Sequence, residues 1–140
     1  MSTEDNKAVA RRIYSEAINQ GNLAVFDELV AEDAVEHDVF PGMPNRGPEA
    51  PKAFFTVFGA AFPDLHMTVD EMIAEGDKVV ARVRVSGTHK GEFMGIPPTA
   101  KSFDVQAIDI LEVQAGKVTA HWGVMDQAAM MQQLGLAPEM

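Results

Sequence analysis

The stretch "KSFDVQAIDILEVQAGKVTAHWGV", Lys101 to Val124, decides the fold. Phe103, Val105, Ala107, Asp109 and Leu111 share one parity, and Asp104, Gln106, Ile108, Ile110 and Glu112 the other. Side chains alternate across a strand, so Lys101–Val113 is predicted as a strand with Asp109 on its drier face. "QAGK" has the length and composition of a tight hairpin link. It leads to a second strand, Lys117–Val124, in which parity puts Val118, Ala120, Trp122 and Val124 on the inner wall. Lys117, Thr119, His121 and Gly123 then face the other way, which turns His121 toward solvent or a partner subunit.

Upstream, the same alternation predicts strands over Leu65–Ala74 and Lys78–His89, joined by "EGDK". In the second of these, Val79, Ala81, Val83, Val85, Gly87 and His89 lie opposite Arg82, Arg84, Ser86 and Thr88. The first half of the chain has a helical period instead: Val9, Ile13 and Ala17 recur every four residues within Lys7–Asn19, and Gly21 stops that helix. Asn22 can cap a short second helix, Leu23–Ala31. "AVEHDVF" reads as an extended segment, "PGMPNRGPEAP" as turns, and Pro48 as the start of a third helix loaded with Phe54, Phe55, Val57, Phe58 and Phe62. "DQAAMMQQL" forms a short terminal helix with a loose tail beyond it. Helices followed by a four-stranded meander define one α+β domain whose curved antiparallel sheet wraps the N-terminal helices.

With 140 residues, 46% of them hydrophobic, the chain suffices for one domain with a sizeable core. A formal charge of −10 argues against phosphate backbones and anionic membranes as partners. No signal-peptide layout opens the chain and no run has membrane-spanning length, so it reads as cytoplasmic. The absence of cysteine removes thiolate catalysis and cysteine-ligated metals. His37, His66, His89 and His121 show no metal-binding spacing, so no metal is expected.

Asp109 is the most informative polar residue, because a carboxylate among apolar neighbours is costly to ionise unless hydrogen-bonded. Such a group can exchange a proton near neutral pH, or it can be a structural acceptor for a backbone donor; parity leaves both open. His89 shares an apolar face near its strand's end. His37 falls with Val35 and Val39 on the drier side of its short segment, with Glu36 opposite and Asp38 facing inward only if the segment kinks. Tyr14 lies in the first helix's apolar stripe: its hydroxyl either finds a partner, Asp109 or a substrate carbonyl, or sits at the rim of an ordinary packed core. Trp122 and Phe103 face the inner wall. The connection Lys90–Lys101 is longer than a hairpin needs, and its Phe93, Met94 and Ile96 can serve as a lip over a hydrophobic ligand.

Together, "YSEAINQGNLAVFDELVAEDAVEHD", "GTHKGEFMGIPPT", "AIDI" and "HWGVMD" resemble the SnoaL-like polyketide cyclase family over nearly the whole chain. The resemblance implies a nuclear-transport-factor-2-like cone, also described as a cystatin-like α+β barrel. It implies cofactor-free intramolecular aldol closure of a small hydrophobic carbonyl compound, and a homodimer or higher homo-oligomer. It nominates Asp109 as acid/base, His89 as its partner and His37 as a pocket residue. A more distant similarity to ketosteroid isomerase, where a tyrosine and a protonated aspartate stabilise an oxyanion beside an aspartate base, implies Tyr14, Asp109 and Asp38 in those places. A binding or dimerisation module holding a small hydrophobic molecule is the third reading.

Overall fold

In a computed structural model that describes residues 2–38 and 40–136, the chain opens with α1, Thr3–Arg12. This helix starts four residues before the apolar period does, because Ser2 and Asp5 form a capping box. The Ser2 hydroxyl accepts the Asp5 N–H and the Asp5 carboxylate accepts the Ser2 N–H. The helix does not run on to Asn19 in α form. Ile13–Asn19 is a π-helical turn, and at its exit the Gln20 N–H reaches back five residues to the Ser15 carbonyl.

Then come α2 (Ala24–Leu29), β1 (Val30–Glu36), α3 (Glu49–Ala61), β2 (His66–Glu75), β3 (Lys78–Thr88), β4 (Ser102–Gln114), β5 (Lys117–Met125) and α4 (Gln127–Gln133). The four expected strands form the antiparallel meander. A fifth, β1, joins it parallel to β5, giving the order β1-β5-β4-β3-β2. The sheet is curved but not closed: β1 and β2 are its edges. Phe93, Met94, Gly95 and Ile96 form a miniature hairpin in the β3–β4 connection, and Phe93 is buried against Phe58 and Phe62.

Edge strand β2 is tied to the helices by one side chain. Asn19 donates from Nδ2 to the Met67 carbonyl and accepts the Met67 N–H at Oδ1, both at 2.8 Å, so it substitutes for a neighbouring strand. Asn19→Ala leaves two edge groups without partners, and a loss of about 2–3 kcal/mol is expected from the shift in urea midpoint.

One irregularity in β5 decides the site. Val118 pairs with Val113 of β4, but Ala120 pairs with the adjacent Glu112, so Thr119 is an extra residue and forms a β-bulge. Its hydroxyl donates to a Glu112 carboxylate oxygen at 2.7 Å. Beyond the bulge every β5 side chain changes face. His121 pairs with Leu111 and Gly123 with Asp109, both on the inner face of β4, while Trp122 pairs with the outer residue Ile110. The expectation that Trp122 lines the inner wall and that His121 points outward is therefore corrected.

Val39, assigned to a face together with His37, and the tail beyond residue 136 lie outside the described residues. Among the described residues no helix is long and apolar enough to cross a membrane.

Candidate active site

Between the concave sheet face and the helices lies a cavity of about 640 Å³. Its wall is mainly apolar, with Phe26, Phe40, Phe54, Phe55 and Phe58 on the helical side and Val85, Ala107 and Leu111 on the sheet. Phe54 and Phe58 stack at 4.6 Å between centroids, and Phe26 lies nearly parallel to Phe55 at 5.8 Å. That volume and lining fit a small hydrophobic molecule.

The titratable groups in this wall are Tyr14, Glu36, Asp38, Asp109 and His121. Four of them form one continuous chain. The Tyr14 hydroxyl donates to Asp109 Oδ2 at 2.6 Å, His121 Nε2 stands 3.0 Å from Asp109 Oδ1, and His121 Nδ1 stands 2.7 Å from Glu36 Oε1. Each member is placed by its element. The π-helical turn brings Tyr14 across from β4, β4 parity turns Asp109 inward, the β5 bulge turns His121 inward, and the parallel register sets Glu36 beside His121.

Burial alone would lower the His121 pKa. The hydrogen bonds to Asp109 and Glu36, with their charges, outweigh it and push the pKa up to about 10. An imidazole flanked on both nitrogens by carboxylates is held as imidazolium, with both N–H groups donating. Tyr14 is also raised well above the ordinary phenol value, first by burial and then by the charge and hydrogen bond of Asp109, so its hydroxyl keeps its proton.

The His121 shift has a consequence for stability. A folded-state pKa above the unfolded value means that the stabilisation is complete below about pH 6.5 and is withdrawn as pH rises through about 10. Melting temperature should fall over that window, by about 4 °C for each kcal/mol lost in a domain of this size. His121→Gln should flatten this dependence, as read by calorimetry from pH 7 to 10.5; an unaltered slope would contradict the ion pair.

Gly123 faces Asp109 across the β4–β5 ladder. A Cβ there would lie 2.7 Å from Asp109 Oδ1 and 3.1 Å from His121 Nε2, so the absent side chain is the space the pair occupies. The Gly123 N–H donates to Asp38 Oδ2 at 2.7 Å, which fixes Asp38 at the cavity rim.

The structure places Asp109, Tyr14 and Asp38 in the wall of one cavity, but not the other nominated residues. His89 is fully buried, with Nδ1 accepting the Thr99 N–H at 3.3 Å and its ring against Phe62. It lies eight residues along β3 from Ala81, the partner of Asp109, or roughly 26 Å at strand rise. His89 therefore does not partner Asp109: its apolar face and its place at the strand's end were read correctly, but the pairing that the resemblance implied is not formed. His37 is exposed on the outer side, stacked on Trp122 at 4.5 Å with the rings 3° from parallel. Phe93, Met94, Ile96 and Phe103 do not line the cavity: Phe93 and Phe103 pack on Phe62, while Met94 is exposed. The residues that sequence reasoning missed are Glu36, His121 and Gly123. A signal for the bulge would have found the last two.

An α+β cone enclosing an apolar cavity, with a line of proton-carrying side chains in its wall, defines the class of fold and site. The family model described as SnoaL-like polyketide cyclase matches residues 8–134, and the chain belongs to that family. The aklanonic acid methyl ester cyclase DnrD of Streptomyces peucetius is 30% identical over 128 residues, which are 91% of this chain and 77% of that protein. The nogalonic acid methyl ester cyclase of Streptomyces nogalater is 28% identical over 128 residues, covering 85% of this chain and 90% of that protein. The solved structure of TsrD from Streptomyces laurentii has a TM-score of 0.87 at 28% identity, with 98% of this chain and 99% of that chain covered.

Proposed function

We propose that the protein catalyses intramolecular aldol cyclisation of a hydrophobic polyketide-like ester or ketone by acid/base chemistry on its own side chains. The observation that carries this reading is Asp109, shared between the Tyr14 hydroxyl and His121 in the wall of an apolar cavity. Asp109 takes the proton from the carbon between two carbonyl groups, and the C–H electron pair moves into the enolate. The enolate carbon then bonds to an internal ketone carbon whose oxygen becomes an alkoxide. That oxygen receives the proton from the Asp109–His121 pair, so the product is an isomer of the substrate and no co-reactant is consumed. Confinement holds the enolate carbon against the internal ketone, and Tyr14 and His121 donate to Asp109, which orients its carboxylate for the proton transfers.

The two cyclase relatives, named for methyl esters of aklanonic and nogalonic acids, support the choice of substrate class. Incubation with each of these esters tests it. A product of unchanged mass with a new ring by NMR is expected from at least one ester; tight binding of both without ring closure would instead favour a ligand-holding protein.

A second reading rests on Asp38, which lines the same cavity as Tyr14 and Asp109. In it Asp38 is the base and Tyr14 with a protonated Asp109 holds an oxyanion, giving an isomerised carbonyl compound without a new carbon–carbon bond. Product structure separates the two. The outer sheet face exposes Ile73, Ile108 and Val124, which supports self-association of this domain; sedimentation as a monomer at micromolar concentration would contradict it.

A further inference from the structure

A second carboxylate stands behind His121, on the side of the ring away from Asp109. Glu36 closes β1 with its side chain 19% exposed. Both of its oxygens approach the same ring atom, His121 Nδ1, at 2.7 and 2.5 Å. The other ring nitrogen faces Asp109 at 3.0 Å. A neutral imidazole has only one N–H, so between two ionised carboxylates either tautomer would set a nitrogen lone pair against an oxygen; the doubly protonated ring satisfies both. The charged and titratable groups around this ring are Asp109 from β4, Glu36 from β1, Asp38 just beyond β1, and Tyr14 from the π-helical turn through Asp109. Among the described residues, no lysine or arginine lines the cavity.

We propose that Glu36 is a positioning residue for the acid–base pair: it aims Nε2 of His121 at Asp109 and keeps both ring nitrogens protonated, so that the pair can return a proton to the product oxygen. This role rests on the acid/base reading above. Glu36 acts through the ring and needs no contact with substrate. Removing its charge leaves one carboxylate on the imidazolium instead of two, and the ring then loses its proton at a lower pH. The alkaline limit of turnover moves with it.

The test follows the His121 ring in ¹⁵N-labelled full-length protein by long-range ¹H–¹⁵N correlation, from pH 5 to 11. In the wild type both ring nitrogens should stay protonated through neutral pH and titrate near about 10. Glu36→Gln should lower that midpoint by about 1–3 pH units, and Glu36→Asp, which keeps the charge, should restore most of the difference. On a cyclised ester, the alkaline limb of the kcat profile should shift with the ring while KM changes less than about twofold. A Glu36→Gln midpoint equal to that of the wild type would overturn the proposal. So would a wild-type ring titrating near the ordinary imidazole value, a result that requires no variant to fold. Because the ring measurement uses no substrate, its failure is distinct from a failure of the aldol reading.

Discussion

Asp109→Asn is expected to lower kcat on a cyclised ester by about 10²–10⁴-fold, the range lost with a positioned acid/base group. Asparagine has the shape of aspartate, and its amide fits the same two neighbours. Its oxygen can accept from His121 Nε2–H and its NH₂ can donate to the Tyr14 oxygen, so the bonds seen at 2.6 and 3.0 Å have replacements. The melting temperature should nevertheless fall by several degrees at neutral pH, because one of the two carboxylates that raise the His121 pKa loses its charge while the fold is kept. What the amide cannot do is take a proton from carbon. Steady-state turnover beside a thermal melt separates the two effects, and undiminished turnover in a folded variant would remove Asp109 from the chemistry.

The second large effect is expected at a residue with no functional group. Gly123 does not adopt the left-handed backbone conformation that calls for glycine, so its backbone imposes no requirement. The requirement comes from the site: an added Cβ would meet Asp109 Oδ1 at 2.7 Å and His121 Cε1 at 3.0 Å. Both atoms belong to side chains, so Gly123→Ala can be accommodated by moving them rather than by unfolding the sheet. Movement of Asp109 by about 1 Å breaks its bond to His121, and a displacement of that size costs about 10²-fold in rate. Turnover should fall by that order, and the His121 titration should drop from about 10 toward the ordinary imidazole value. A variant with wild-type turnover and an unmoved titration would show that the pair tolerates the methyl group.

The fold was legible because most strands have one wet and one dry face. Asp109 kept its predicted face because β4 alternates without interruption through it. In β5 the alternation of Val118, Ala120, Trp122 and Val124 misled, because the outer face of this sheet is apolar too, with Ile108 and Ile110 beside Val124 and Trp122. Apolarity then cannot tell inside from outside, and one extra residue at Thr119 exchanges His121 for Trp122 without disturbing the pattern. His37 was misplaced for a related reason: β1 is read with a parallel partner far along the chain, and that partner turns Glu36 inward. For His89 the face and the place at the strand's end were right, and the pairing with Asp109 came from the resemblance alone. The helical stripe placed Tyr14 correctly in the core, whereas the π-helical turn that aims it at Asp109 has no counterpart in a 3.6-residue period.

The central claim is that Asp109, held between Tyr14 and His121, removes a proton from carbon inside the cavity. Its most direct measurement is deuterium uptake from D₂O at the acidic carbon of an ester analogue lacking the internal ketone, so that exchange is the only reaction available. The wild type should exchange that position well above the uncatalysed rate and Asp109→Asn should not. Bound analogue that retains its hydrogen in the wild type, or exchange that survives in Asp109→Asn, would contradict the account.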